Sequence, residues 1–193
     1  QEIQHHLEKL AQLMQYVLEK SPLERVTIEE EVNALEVYIQ LEQLRLENYF
    51  DYSIEILADQ QTTIPALLLQ PYVEHAILQG IAPATGRPLH LRIQIQSERD
   101  TLIVTISDNG IDRRKEKRVN NRPANSKMGQ ERLDLLTHLT HKNHLVFIED
   151  LINNNGTSAG TKLTLQIPIE STPIASELKL ANEVLDDSYS YKH

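Results

Sequence analysis

Asp108-Asn109-Gly110 closes an alternating apolar run made by Leu102, Val104 and Ile106. A carboxylate at a strand end can accept a hydrogen bond from an exocyclic amine such as that of adenine, and a glycine beside it lets backbone approach a ligand. Asn-Gly is also among the commonest turn pairs, so the triplet alone describes a plain turn equally well. Shortly after it, Arg113-Arg114-Lys115-Glu116-Lys117-Arg118 sets five basic residues within six, in a chain of net charge −9. Such a run is a local attractor for an anion such as a polyphosphate. Its alternative is a loop kept in solvent by its own charge.

Glu74 and His75 are adjacent on a segment that reads as a helix, so they project in different directions. Glu74 can act as a general base or orient a nucleophile, or be a surface glutamate. His75 can bind phosphate when protonated, be a poor metal ligand, or be a structural residue. Gly156-Thr157 and Gly160-Thr161 flank the last predicted hairpin, where a threonine hydroxyl can reach Asp108 or a purine through water, or complete a turn. His138, His141 and His144 look like a cluster, with His138 and His141 on one helical face. No carboxylate or thiolate lies at ligand spacing nearby, which argues against zinc. No phosphate-binding glycine loop ending in Lys-Ser/Thr occurs, and no nucleophile elbow.

The elements that must position these residues follow from hydrophobic period. Ile3, Leu7, Leu10, Met14 and Val17 form a heptad seam on one helix that Ser21-Pro22 ends. Two heptads are too short to stand alone, so the helix packs on this chain or on a twin. Thr27 and Glu30 form a capping box that opens a second helix to about Asn48, with Val32, Leu35, Ile39 and Leu46 inward. Strands are predicted from Phe50 to Ile56, Leu89 to Ile95, Leu102 to Asp108, His144 to Leu151 and Leu163 to Ile169. Pro168 places the last strand near an edge or an end. A helix is expected from Pro65 to Gln79, with Pro71 in its first turn or at a kink and Gly80 terminating it. Another follows Gly129, with Leu133, Leu136 and Leu139 on one face. Residues 111–128 read as a long loop of the kind that forms lids. The tail from Ser171 is weakly patterned. The sum is an α+β two-layer sandwich preceded by a helical segment.

Composition narrows the function further. With 19 Lys and Arg against 28 Asp and Glu, the chain is no general nucleic-acid binder. Cysteine is absent, which excludes disulfides, thiolate metal sites and cysteine nucleophiles. No apolar run approaches a membrane span and no signal peptide is recognisable. The chain opens on Gln1 rather than Met and reads as a piece of something longer.

Four segments in order resemble the catalytic region of LytS-type sensor histidine kinases. They are the run from Leu67 to Gly80 (Leu-Leu-Leu-Gln-Pro-Tyr-Val-Glu-His-Ala-Ile-Leu-Gln-Gly), Ile106 to Gly110, Gln130 to Leu136 and Gly160 to Pro168. Leu7–Glu19 and Tyr38–Leu46 resemble the helices that precede that region. The resemblance implies a GHKL (Bergerat) ATP-binding fold over 23–170, the end of a dimerisation and phosphoacceptor helix over 1–22, and a tail over 171–193. It implies phosphotransfer from Mg-ATP to a histidine upstream of residue 1, in an Asn-Pro-His-Phe context that His5 and His6 lack, and then to a response regulator. By match, Glu74, Asp108, Gly110, Gly160 and Thr161 carry over to the nucleotide site. Arg113 and Arg114 belong to the ATP lid and Gly129 to the glycine segment after it. The expected partners are a second copy through the N-terminal helix and a response regulator. The expected location is the cytoplasm, tethered to an inner-membrane sensor through the missing N-terminal part.

This chain departs from the family pattern at four places in that site. His75 stands where the family has the asparagine that gives magnesium an oxygen, and imidazole is a poor replacement for a hard ion. Gln79 stands for a histidine, Asp112 for the second glycine of Asp-Asn-Gly-x-Gly, and the later glycine segment shrinks to Lys127-Met128-Gly129. The same substitutions suit a pseudokinase that keeps the fold to dimerise or bind a partner. They also suit a nucleotide sensor in which His75 takes part of magnesium's role.

Overall fold

The computed structural model describes residues 2–20, 24–47, 50–80, 88–110, 133–138, 141 and 143–169. The expected lid (111–128), the tail (171–193), Leu139 and the Gln79 side chain lie outside the described part. The elements are α1 (Glu2–Glu19), β1 (Arg25–Thr27), α2 (Ile28–Arg45), β2 (Phe50–Ile56), β3 (Thr63–Pro65), α3 (Gln70–Gly80), β4 (Leu89–Glu98), β5 (Thr101–Asp108), β6 (Leu145–Ile152) and β7 (Ser158–Pro168). Residues 133–138 are also helical.

Five strands form one mixed sheet in the order β2-β4-β5-β7-β6. β2 runs parallel to β4, and the crossover between them carries α3. The other pairings are antiparallel, with β4–β5 and β6–β7 as hairpins. Strict alternation sorts the faces, because side chains one apart on a strand point to opposite sides. Leu89, Leu91, Ile93 and Ile95 are buried, whereas His90 and Arg92 between them are exposed. The apolar face meets Val32, Leu35 and Ile39 of α2, Val73 and Ile77 of α3, and Leu133 and Leu136 in one core. Helices cover one face, and the other is polar on β4 and carries exposed Leu145 and Phe147 on β6, which makes the expected two-layer sandwich. Pro168 terminates β7, which is interior to the sheet, so the residue marks an end and not an edge.

α2 starts where the capping box predicts. The Thr27 hydroxyl accepts from the Glu30 amide at 3.1 Å, and the Glu30 carboxylate accepts from the Thr27 amide at 2.9 Å. The strand pair β1–β3 was not legible, since three residues are too few to show a period. It pairs Val26 with Ile64, both buried, and delivers the chain to α3. α3 begins five residues later than expected. Pro65 ends β3, Leu67 stands in the left-handed region (φ 57°), and Leu69 accepts the first helical bonds from Tyr72 and Val73. Ala66, Leu68 and Leu69 are all buried, and a short apolar run does not by its pattern distinguish helix from buried loop.

α1 packs on α2 by a different face from its heptad seam. Of the seam residues with described side chains, Leu10, Met14 and Val17 are all exposed, and Leu18 beside them is 82% exposed. Leu13 and Tyr16 are instead half-buried.

Replacing Thr27 by alanine removes one half of the capping box and is expected to cost about 1 kcal/mol. A urea titration reads this as a lower midpoint with an unchanged slope.

Candidate functional site

The end of β5 is built by backbone approach. Asp108 is 9% exposed, and its Oδ1 accepts from the Gly110 amide at 2.8 Å. In the adjacent strand Thr161, also buried, is the register partner of Asp108. Gly160 precedes it at φ 129°, and a Cβ there would overlap the Asp108 carbonyl oxygen. A Cβ on Gly110 would lie 2.6 Å from the Gly80 Cα and 2.8 Å from Asp108 Oδ1. Three chain segments thus meet around Asp108 with no room for a side chain.

Asn109 has a separate task. Its Oδ1 accepts from the His90 amide at 2.6 Å, and its Nδ2 donates to the Pro88 carbonyl at 3.2 Å. The middle residue of the triplet therefore pins the start of β4, leaving the flanking Asp108 and Gly110 to shape the site. Gly80 is the last residue of α3, and a Cβ on it would overlap the Leu89 side chain. Its role is close contact with β4 and Gly110 as well as ending the helix.

α3 carries Glu74 and His75, both half-buried, six and five residues before Gly80. At 1.5 Å per residue they stand roughly 9 and 7.5 Å along the axis from the Gly80–Gly110 contact. Burial, followed by the carboxylates of Glu42 and Glu74, holds the Tyr38 phenol above its ordinary range. The structure brings together Asp108, Gly110, Gly160 and Thr161, with Glu74 and His75 on the helix that touches them. Arg113, Arg114, Asp112 and Gly129 lie outside the described residues. The helical relation expected of His138 and His141 does not hold, because His141 stands in the left-handed region (φ 52°).

Two contributors escaped the sequence reading. Gly80 was read as a helix stop, and nothing local announces that it faces Gly110 thirty residues on. Glu31 is the other, a carboxylate only 2% exposed. Its Oε2 accepts from the Leu67 amide at 2.7 Å and its Oε1 from the Leu69 amide at 2.9 Å, which fastens the entry to α3. The Tyr16 hydroxyl of α1 donates to Oε2 at 3.3 Å. The missed signal is positional: Glu31 lies three residues after Ile28 and four before Leu35, on the apolar stripe of α2.

The donors can be weighed against the ligands implied by the resemblance. A buried carboxylate at a strand end, flanked by glycines that admit no Cβ, fits the base of a purine nucleotide. Glu74 and His75 fit magnesium poorly, since the pair offers one carboxylate and an imidazole where a hard cation prefers oxygen. Among the described residues no group of three or more His, Asp or Glu could hold a metal.

A mixed five-stranded sheet with helices on one face and glycine-lined turns at the end of β5 defines the catalytic fold of histidine kinases, the GHKL fold. The catalytic domain of histidine kinase ThkA superposes with a TM-score of 0.51 over 75% of this chain and 96% of its own, at 15% identity. Acinetobacter baumannii histidine kinase AdeS does so with a TM-score of 0.51 over 87% of this chain and 79% of its own, at 12% identity. The family model described as histidine kinase matches residues 1–50. The sensor histidine kinase YpdA of Escherichia coli (strain K12) is 30% identical over 174 residues, covering 89% of this chain and 29% of that protein. The sensor histidine kinase YesM of Bacillus subtilis (strain 168) is 30% identical over 111 residues, covering 55% of this chain and 19% of that protein. The chain is thus similar to sensor histidine kinases and carries the catalytic fold of histidine kinases, and it spans less than a third of the length of these relatives.

Among the described residues, the two positive-φ glycines give a sharp contrast. Gly160→Ala forces a Cβ into backbone and is expected to cost more than about 3 kcal/mol or to prevent folding. Gly156→Ala, at φ 73° with open space around it, is expected to cost only about 1 kcal/mol. Thermal denaturation of the two variants checks the ranking.

Proposed function

We propose that this chain is the ATP-binding catalytic region of a sensor histidine kinase. In this reading 23–170 form the nucleotide domain and 171–193 a C-terminal tail. Residues 1–22 end the helix that pairs two copies and bears the acceptor histidine upstream. The γ-phosphoryl group of ATP moves to that imidazole, leaving ADP, and then to a response regulator. The observation that carries the reading is the buried Asp108 carboxylate held on the Gly110 amide, with Gly80, Gly110 and Gly160 closing in around it. Asp108 accepts from the adenine amine, and Thr161 lies beside it at the base. Arg113, Arg114 and the basic run after them draw the phosphates, Gly129 gives slack behind the lid, and Glu74 orients the phosphate end or the acceptor. Positioning and charge then supply most of the catalysis, as is usual in phosphoryl transfer. The exposed Leu10, Met14 and Val17 support pairing through α1. Among the described residues no helix is long and apolar enough to cross a membrane. The region is assigned to the cytoplasm, with membrane attachment in the part that precedes it.

His75 favours a second reading, a pseudokinase that has kept the fold and lost or altered magnesium-dependent nucleotide binding. Gln79 and Asp112 weigh the same way.

Calorimetric titration with a non-hydrolysable ATP analogue, with and without magnesium, separates the two. Micromolar binding that requires magnesium is expected of the kinase, binding indifferent to magnesium of a nucleotide sensor, and no binding of the pseudokinase. Losing a hydrogen bond to a charged group, Asp108→Asn should weaken binding roughly 10- to 100-fold. His75→Asn should raise magnesium-dependent affinity about tenfold, equivalent to roughly 1.4 kcal/mol. An unchanged affinity would show that His75 is not what limits the site.

A further inference from the structure

We infer that Glu31 is a positioning residue for α3, and that the Tyr16–Glu31 hydrogen bond makes the nucleotide site sensitive to where α1 sits.

A carboxylate this deeply buried is unfavourable unless its charge is met by donors. Here those donors come from two other parts of the chain, the Leu67 and Leu69 amides and the Tyr16 hydroxyl. Glu31 lies in the first turn of its own helix and faces the N-terminal turn of α3, so both helix dipoles favour its negative charge. The bond to Leu67 stabilises a left-handed backbone that a leucine rarely adopts. The bond to Leu69 holds the residue whose carbonyl starts α3.

From there the consequence is mechanical. α3 has 11 residues and is a rod of about 16 Å. Its start is tied to Glu31, and its end is wedged by Gly80 against Leu89 and Gly110 with no slack for a methyl group. Glu74 and His75 stand between these two points. A shift at the start cannot be absorbed at the end without moving Gly110, whose amide holds Asp108.

Tyr16 brings α1 into this chain of contacts. Its hydroxyl shares Oε2 of Glu31 with the Leu67 amide, so moving α1 alters the acceptor that holds the loop. Burial, and next the Glu31 charge, keep the Tyr16 phenol protonated well above its ordinary range, so it remains a donor. The exposed side of α1 shows Leu10, Met14, Val17 and Leu18. A second copy paired along these residues, as in the reading above, would set the position of α1, and Tyr16 passes that position to α3.

The regulatory half of this inference rests on the nucleotide-site reading above, and the experiment separates the two. In the full-length protein, Tyr16→Phe removes the hydroxyl and keeps the ring. Gln15→Ala, which loses an exposed bond to Glu19 on α1, is the control. Glu31→Gln keeps the shape and removes the charge. Amide hydrogen exchange is read at Leu67, Leu69 and along α1, and affinity is read with trinitrophenyl-ATP.

Tyr16→Phe is expected to speed exchange at Leu67 and Leu69 and to weaken trinitrophenyl-ATP roughly three- to tenfold, a usual size for coupling between sites. Its melting temperature should stay within about 4 °C of wild type. Glu31→Gln should give larger effects of the same sign, and Gln15→Ala none. Because coupling is reciprocal, trinitrophenyl-ATP should change α1 exchange in wild type and Gln15→Ala but not in Tyr16→Phe. Wild-type exchange at Leu67 and Leu69 in Tyr16→Phe would overturn the positioning role. Unchanged affinity in Tyr16→Phe would overturn the coupling, as would an equal loss in Gln15→Ala. If the wild-type protein takes no trinitrophenyl-ATP, the nucleotide reading and the coupling both fall, and exchange at Leu67 and Leu69 still decides whether Tyr16 and Glu31 hold the loop.

Discussion

Around Asp108 the backbones of β5, β7 and α3 come closer than any side chain permits. Gly160 lies against the Asp108 carbonyl and Gly110 against Gly80, and each contact is lost if one glycine gains a methyl group. This constraint decides the rest of the architecture. It sets α3 down on the sheet at a fixed distance and holds the buried Asp108 carboxylate on the Gly110 amide. Interiors pack too densely to take up such changes by compression, so the geometry is all or nothing.

Glu31 imposes the complementary condition at the other end of α3. A buried charge is tolerable only while its donors stay in place, which makes the Leu67–Leu69 loop a specified structure. α3 is therefore held at both ends, by polar bonds at its start and by steric fit at its finish. A helix held in this way is a suitable platform for Glu74 and His75, since groups that act by position need rigid support.

The chemistry at the middle of α3 is less conventional than its framework. The proposed base-binding end rests on the Asp108 carboxylate and the glycine contacts around it, whereas the Glu74-His75 pair carries one carboxylate and one imidazole, and magnesium prefers oxygen donors. The fold and the ion site are separable in physical terms. Sheet, core and glycine contacts depend on shape, and the ion site depends on the identity of one donor atom.

Much of this was readable from residue order, and the reason is locality. The period-2 runs at Leu89–Ile95 and Leu102–Asp108 defined strands and their buried faces, and the Thr27–Glu30 pair defined where α2 begins, because each signal lies within one element. Asp108, Gly110, Gly160 and Thr161 stood out by type and place, and the resemblance to LytS-type kinases carried them to a nucleotide site. Other features could not be read this way. The β1–β3 pair joins residues about forty apart and is too short to carry a pattern. α3 starts at Gln70 because Glu31, 39 residues upstream, takes the Leu67 and Leu69 amides. The heptad seam of α1 correctly announced a helix, yet the face that meets α2 is the one bearing Tyr16. Local composition fixes what a segment can be. Which backbone meets which, and therefore why Gly80 and Glu31 matter, depends on distant segments that come together only when the chain folds.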